Sequence, residues 1–121
     1  MDAGQIVRDF CAAWGRADLD YIMGAFTDDA VYHNIPMAAH TGKNEIENFI
    51  KGFLASSPDG IQFEIKTQVA SGNIVFNERI DSFDLGDKKI AAPVCGVFEV
   101  TADGKIAAWR DYFDMGQFTG A

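Results

Sequence analysis

The sequence predicts an α+β fold, with helices in the first half of the chain and a mainly antiparallel sheet in the second. Apolar residues recur at helical spacing before residue 61, and β-rich runs separated by turn dipeptides follow from there onward. Of the 121 residues, 48% are hydrophobic and 23% are charged, which is typical of a globular domain with one core. We therefore expect residues 1–121 to form a single domain.

The first half of the chain predicts three helices, each with an apolar stripe and a polar or glycine-containing boundary. The first stripe consists of Ile6, Val7, Phe10, Cys11 and Trp14, and Gly15 follows it as a stop. Asp18 can cap a short second helix carrying Leu19, Ile22, Met23 and Phe26, before a polar turn at residues 27–29. The third stripe, between turns at residues 41–42 and 58–60, consists of Ile46, Phe49, Ile50, Phe53 and Leu54.

The predicted strands form one early segment and a later series. The early strand, residues 31–35, is β-rich and ends at Pro36, which cannot donate a hydrogen bond to a sheet. Turn dipeptides at residues 71–72, 86–87 and 103–104 separate four later strands at residues 63–70, 74–83, 89–100 and 106–113. This order predicts an antiparallel meander. A strongly bent sheet wrapped by three helices would form a cone with an open mouth, and Pro93 and Gly96 are candidate bulge or bend positions.

Charge and composition argue against several classes of partner. Ten basic against 18 acidic residues leave a formal charge of −8, which repels nucleic acid and anionic lipid, so a neutral small molecule is the expected ligand. No apolar run is long enough to span a bilayer, and the N-terminus has no signal-like pattern, so we expect a cytoplasmic protein. Cys11 and Cys95 lie in apolar contexts without paired-ligand spacing and are expected to be buried free thiols.

Polar side chains stand among apolar ones on one face of three predicted strands, because side chains two residues apart share a face. In the strand at residues 74–83 that face consists of Val75, Asn77, Arg79, Asp81 and Phe83. The last strand places Asp111 between Trp109 and Phe113, and the early strand places Tyr32 and Asn34 together. A buried carboxylate is costly unless it is paired, so these faces predict either a functional site or a wet surface with an ordinary salt bridge. Convergence of three strands favours the functional site.

Four segments carry a resemblance to a known family. They are Tyr-His-Asn-Ile-Pro at residues 32–36, Asn-Glu-Arg-Ile-Asp at 77–81, Pro-Val-Cys-Gly-Val-Phe-Glu-Val at 93–100 and Trp-Arg-Asp-Tyr-Phe-Asp at 109–114. Their order and spacing resemble the limonene-1,2-epoxide hydrolase family, within the superfamily of cone-shaped domains similar to nuclear transport factor 2 and also called SnoaL-like. The resemblance implies a strongly curved mixed, mainly antiparallel sheet wrapped by three N-terminal helices.

The resemblance also implies an activity and a set of site residues. The enzyme would add water in one step to a small apolar epoxide and give a vicinal diol, without a metal ion or an organic cofactor. Asp111 would be the general base and Asp81 the general acid, Arg79 would bridge the two aspartates, and Tyr32 and Asn34 would hold the water. The candidate residues for lining the substrate pocket, each of which could equally serve in the core, are Ile35, Met37, Phe53, Leu54, Val75, Phe83, Trp109 and Phe113.

Two other functions remain open at the level of sequence. The first is an isomerase resembling ketosteroid isomerase, in which one carboxylate removes a proton from carbon and Tyr32 donates to an enolate. Arg79 argues against it, since a cation bridging both acids would compete for the base. The second is a non-catalytic binding or dimerisation module. The outer face of the sheet, expected to bear Val94, Phe98 and Val100, would need covering, and a symmetric homodimer is the expected cover.

Overall fold

The computed structural model describes residues 1–119, which contain four helices and six strands. The helices are α1 (Ala3–Gly15), α2 (Leu19–Gly24), α3 (Lys43–Ser56) and α4 (Gly116–Thr119). The strands are β1 (Phe26–Asn34), β2 (His40–Thr41), β3 (Gln62–Ser71), β4 (Ile74–Leu85), β5 (Lys88–Val100) and β6 (Ile106–Tyr112). The expected α+β class, with the long helices first and the meander of β3 to β6 last, is confirmed.

All six strands join one sheet in the order β2-β1-β6-β5-β4-β3. β1 runs parallel to β6 and every other neighbouring pair is antiparallel, so the sheet is mixed as expected. Helix α1 packs against β3 and β4, and α3 packs against β1 and β2, so these helices cover one face of the sheet, here called the inner face. An aromatic core fills the space between them, with Phe10 of α1 at 5.1 Å from Trp109 of β6, centroid to centroid.

The predicted helices are confirmed, and their first turns show why they begin where they do. The Asp2 carboxylate accepts a hydrogen bond from the backbone N–H of Gln5 at the start of α1, and Asp18 does the same for Tyr21 in α2. Such caps satisfy N–H groups that have no partner within the helix. In the residues that the structure describes, no helix is both long and apolar enough to cross a membrane.

The segment between α2 and β1 differs from the prediction. Phe26 was expected in the second helix and residues 27–29 in a turn, whereas Phe26 begins β1 and the acidic residues lie inside the strand. Pairing with β6 explains the difference, because Phe26 lies opposite Ile106 and the Ile106 N–H donates to the Ala25 carbonyl at 2.8 Å. The register then shifts before Val31, and this irregularity accommodates the exposed Asp28 and Asp29.

The face assignment of β5 was wrong for three residues. Val94, Phe98 and Val100 were expected on the outer face, but all three are buried on the inner face, where Phe98 lies opposite Val75 and Trp109. The outer face instead carries Cys95, which is exposed, so the expectation of a buried thiol is correct for Cys11 and wrong for Cys95. Because β5 is apolar on both faces, the alternation of its residues does not reveal which face is buried.

Bulges were also expected at the wrong place. The β4–β5 ladder is continuous through Pro93 and Gly96, whereas the register of β5 with β6 shifts between Glu99 and Val100. Pro93 is tolerated because β6 pairs with β5 only from Cys95 onward, so its missing N–H breaks no ladder bond on that side. The two short elements β2 and α4 were not predicted, since neither is long enough to show a periodic pattern.

Candidate active site

Arg79 lies at the centre of a buried ion-pair cluster on the inner face of the sheet. Its side chain is fully buried, and its Nε and Nη2 donate to the two oxygens of Asp81 at 2.9 and 2.8 Å. Nη1 and Nη2 donate to the two oxygens of Asp111 at 3.2 and 2.9 Å. The remaining hydrogen on Nη1 is accepted by Asn77 Oδ1 at 3.0 Å. All five N–H groups of the guanidinium therefore have an acceptor, as a buried cation requires.

Strand alternation and register explain how the cluster forms. Asn77, Arg79 and Asp81 follow one another on the inner face of β4, two residues apart. Asp111 lies on β6, which is separated from β4 by β5, and Gly96 of β5 pairs with both Asn77 and Asp111. The guanidinium thus reaches the second aspartate over the one position of β5 that has no side chain.

Gly96 is a site residue whose role was not predicted from the sequence. A Cβ atom at this position would lie 2.4 Å from Arg79 Nη1 and 2.8 Å from Asp111 Oδ1, distances that real Cβ atoms do not show. Glycine is required here because the two charged groups approach the backbone so closely. An isolated glycine within a strand pattern could have signalled such an approach, but Gly96 was predicted only as a bulge or bend position.

The surroundings of the cluster shift two ionisation equilibria. Burial raises the pKa of Asp81 from 3.8 to about 6, a shift that the hydrogen bonds and charge of Arg79 oppose and the charge of Asp111 reinforces. Burial alone would lower the pKa of Arg79, but the two carboxylates outweigh it and hold that pKa well above its usual value. The cluster therefore contains a permanent cation and a carboxyl group that can carry a proton near neutral pH.

Tyr32 and Asn34 stand beside Asp111 because β1 pairs in parallel with β6. Tyr32 lies opposite Trp109 and Asn34 lies opposite Asp111, and both polar side chains are buried. The Tyr32 hydroxyl donates to Asn34 Oδ1 at 3.5 Å, and burial raises the pKa of Tyr32, so the hydroxyl stays protonated. A neutral phenol, an amide and a carboxylate thus face one small volume, which is a suitable set of partners for a water molecule.

A cavity of about 520 Å³ lies over these groups. Its floor includes Tyr32, Asn34, Asp81 and Asp111, whereas Arg79 lies beneath and does not line it. Its wall is largely apolar and includes six phenylalanines: Phe49, Phe53, Phe63, Phe83, Phe113 and Phe118. A few polar groups at the base of an apolar cavity are typical of a site that binds and orients a small hydrophobic molecule.

The structure places some of the candidate lining residues in this cavity and others elsewhere. Met37, Phe53, Phe83 and Phe113 line it, although β6 ends one residue before Phe113. Ile35, Leu54, Val75 and Trp109 do not line it. Val75 and Trp109 are fully buried in the core, and the rings of Tyr32 and Trp109 stack 4.1 Å apart, so Tyr32 stands where Trp109 was expected.

Some lining residues were absent from the sequence analysis. Phe63 of β3 and Phe118 of α4 both face the cavity, and Phe118 contacts Phe83 and Phe113 with centroid distances of 5.7 and 5.0 Å. Phe49 was identified only as part of a helical stripe, and that stripe could have suggested its place. No signal in the sequence predicts Phe118, because its place depends on how the short helix α4 packs against the cavity.

Within the part of the chain that the structure describes, no group of three or more His, Cys, Asp or Glu side chains is arranged to hold a metal ion. Cys11 of α1 lies close enough to the cluster to interact with its charges, and burial raises the pKa of its thiol to about 12. The thiol therefore stays protonated and is a poor nucleophile.

The fold and the buried cluster define the class of protein, an α+β domain of the kind found in nuclear transport factor 2 and SnoaL-like proteins. A SnoaL-like protein of known structure from Shewanella putrefaciens superimposes with a TM-score of 0.86 over 99% of this chain and 85% of its own. The two are only 14% identical, so this likeness shows the fold alone.

Closer relatives show the family. The limonene-1,2-epoxide hydrolase catalytic domain matches residues 1–120. Epoxide hydrolase EphG of Mycobacterium tuberculosis is 34% identical over 109 residues, which cover 90% of this chain and 71% of EphG. A solved structure of an LEH-like epoxide hydrolase from M. tuberculosis has a TM-score of 0.85 at 34% identity and covers 98% of this chain and 87% of its own. The chain belongs to the limonene-1,2-epoxide hydrolase family, and both relatives support epoxide hydrolysis as its activity.

Proposed function

We propose that this protein adds water to an apolar epoxide in a single step and releases a vicinal diol. The observation that carries the proposal is the buried bridge of Arg79 between two carboxylates at the base of an apolar cavity. Opening an epoxide with water requires one proton to be removed and another to be delivered, and two carboxyl groups in opposite protonation states can do both at once.

Each group of the cluster has a role in the proposed step. Asp111 takes a proton from a water molecule that Tyr32 and Asn34 hold, and the water oxygen forms a bond to an epoxide carbon. The carbon–oxygen bond of the epoxide breaks, and the oxygen takes a proton from Asp81. Asp111 then carries a proton and Asp81 does not, so a proton must pass from one to the other, through solvent or product, before the next turnover.

Arg79 allows the two aspartates to differ in protonation. The raised pKa of Asp81 supports its role as the acid, because a proton stays on this carboxyl group at a pH where an ordinary aspartate is fully ionised. The guanidinium stabilises whichever carboxylate is charged. We infer that its fixed position keeps the acid and the base on either side of the reacting bond.

The cavity supports a neutral and apolar substrate. Among the described residues, its phenylalanine-rich wall offers no cation to bind a carboxylate or phosphate group, and the net charge of −8 repels anions. The proposed partners are therefore a small apolar epoxide and water, with no nucleic acid, membrane, metal ion or organic cofactor required.

The proposal is tested by incubating the purified protein with a panel of terpene, steroid, fatty-acid and small cyclic epoxides and measuring diol formation. We expect at least one apolar epoxide to be converted, and we expect exhaustive treatment with EDTA followed by dialysis to leave the rate unchanged. Loss of activity that a divalent ion restores would contradict the mechanism. Failure on all epoxides, combined with exchange of α-protons in ketones, would favour an isomerase instead.

We also propose that the protein is a symmetric homodimer that buries the outer face of the sheet. That face exposes Phe76, Cys95 and Tyr112, which lie close together because β4, β5 and β6 are neighbours. Exposed aromatic residues on a sheet face are typical of an interface, and a two-fold axis is the commonest arrangement.

Phe76→Lys should convert the dimer to a monomer, because a charge inside the buried interface would lose its hydration. Tyr21→Lys, which changes an equally exposed ring on α2, is the control. Sedimentation velocity would measure the oligomeric state of both variants. A wild-type protein that sediments as a monomer across the micromolar range would contradict the proposal.

A further inference from the structure

Trp109 holds the proposed base from the side of the core. Its indole Nε1 donates to Asp111 Oδ1 at 2.7 Å, and its ring is fully buried between the ring of Tyr32 and that of Phe98. Trp109 does not line the cavity and so does not contact a substrate there. A hydrogen bond to an ionised carboxylate in a buried site is among the stronger ones in proteins.

The two oxygens of Asp111 differ in the hydrogen bonds that they accept. Among residues 1–119, Oδ1 accepts from Trp109 Nε1 and from Arg79 Nη1, whereas Oδ2 accepts only from Arg79 Nη2. A carboxylate oxygen has about two lone-pair sites, so Oδ1 is saturated and Oδ2 keeps one site free. Only the free site can receive a proton from water without first losing a bond.

On this geometry we propose that Trp109 is a positioning residue, which saturates Asp111 Oδ1 and thereby makes Oδ2 the atom that takes the proton from water. The inference rests on the proposed function of Asp111 as the base. Trp109 also positions Tyr32, because the two rings stack 4.1 Å apart at an interplanar angle of 7°. One indole thus positions both the proposed base and the phenol that is proposed to hold the water.

Four titratable or charged groups face Asp111 from the elements packed around it. Arg79 and Asp81 lie on β4, Tyr32 on β1 and Cys11 on α1. Burial keeps the phenol and the thiol neutral across the working range of pH, because it raises the pKa of both groups. The phenol and the thiol therefore do not contribute to changes in the protonation of the site.

The first test is spectroscopic and uses the wild-type fold. The sequence has two tryptophans, and Nε1 of Trp14 is buried with no hydrogen-bond partner among the described residues, so Trp14 is an internal control. In protein labelled with ¹⁵N-tryptophan, we expect the indole proton of Trp109 to resonate downfield of that of Trp14. It should move upfield in Asp111→Asn, while the Trp14 signal stays in place. Each of the two indole signals is assigned by its loss in Trp109→Phe or in Trp14→Phe. If the chemical shift of the Trp109 indole proton were unchanged in Asp111→Asn, the proposal would be overturned.

The second test is kinetic. Trp109→Phe keeps a ring against Tyr32 but removes the N–H, so kcat should fall roughly 10- to 100-fold, the value of one hydrogen bond to a charged group, with KM nearly unchanged. The acidic limb of the pH–rate profile should move to higher pH, because the ionised form of Asp111 loses a hydrogen-bond donor that stabilises it.

Phe98→Leu is the matched control, since Phe98 stacks on the opposite side of the same indole at 5.3 Å and has no polar atom. The Phe98→Leu substitution should lower thermal stability and leave the acidic limb of the pH–rate profile unchanged. If Trp109→Phe also left the limb in place, Trp109 would have only a packing role. That result would leave the proposed function intact as long as Asp111→Asn remained inactive, so the two failures are distinguishable.

Discussion

Asp111→Asn and Asp81→Asn should each abolish nearly all diol formation. Asparagine keeps the volume and part of the hydrogen bonding to Arg79 but cannot exchange a proton with water or with the epoxide oxygen. General acid and general base contributions are typically about 10²–10⁴-fold each. Because both aspartates are proposed to act in one concerted step, the double variant should be only slightly slower than either single one.

Asp84→Asn is the matched control for these variants. Asp84 lies on β4 like Asp81, but its carboxylate forms a surface ion pair with Lys89 at 3.2 Å and does not face the cluster. This variant should keep the wild-type rate, and circular dichroism should show that all four proteins are folded. An Asp81→Asn variant with most of its activity, beside an inactive Asp84→Asn, would mean that the face assignment of β4 is wrong by one residue.

Arg79→Lys should reduce activity at least about 10²-fold and also lower the melting temperature. The guanidinium uses five N–H groups to bind both aspartates and Asn77, whereas an ammonium group has three donors and no planar fork. Two carboxylates would then face each other with incomplete compensation, and breaking a buried ion pair costs roughly 3–5 kcal/mol of stability.

Arg110→Lys is the control for Arg79→Lys. Arg110 is the next arginine in the sequence, and it forms a single ion pair with Glu99 in which the two side chains are 32% and 41% exposed. Partly exposed pairs contribute little to stability, so activity and melting temperature should change only slightly. Diol formation and thermal unfolding of the two variants would be measured side by side. Equal effects of the two substitutions would contradict a special role for the buried bridge.

The period-two pattern of the strands was sufficient to predict most of the polar cluster. It placed Arg79 with Asp81 and Tyr32 with Asn34, because side-chain alternation is a local property that the sequence contains. Asp111 was identified in the same way, from its place between two aromatic residues. The structure brings these five side chains to one place on the inner face, while their catalytic roles remain proposals.

What the sequence could not predict depends on how the strands pair. The role of Gly96 follows from its lying between Asn77 and Asp111, which requires the register of three strands. Trp109 was expected in the cavity because it shares a face with Asp111, but Tyr32 on the neighbouring strand covers it. Long-range register also decides which face of β5 is buried, since Val94 and Cys95 are both apolar and only their neighbours distinguish them.

The most direct test of the central claim, that two bridged aspartates act on water and do not attack carbon, is a single turnover in ¹⁸O-labelled water. The enzyme would be used in excess over an epoxide that the panel has identified as a substrate. The masses of the diol and of the intact protein would then be measured by mass spectrometry. The account predicts one ¹⁸O atom in every diol formed in that first turnover and no ¹⁸O in the protein. Unlabelled diol together with label in a carboxylate of the protein would show a covalent ester intermediate and would contradict it.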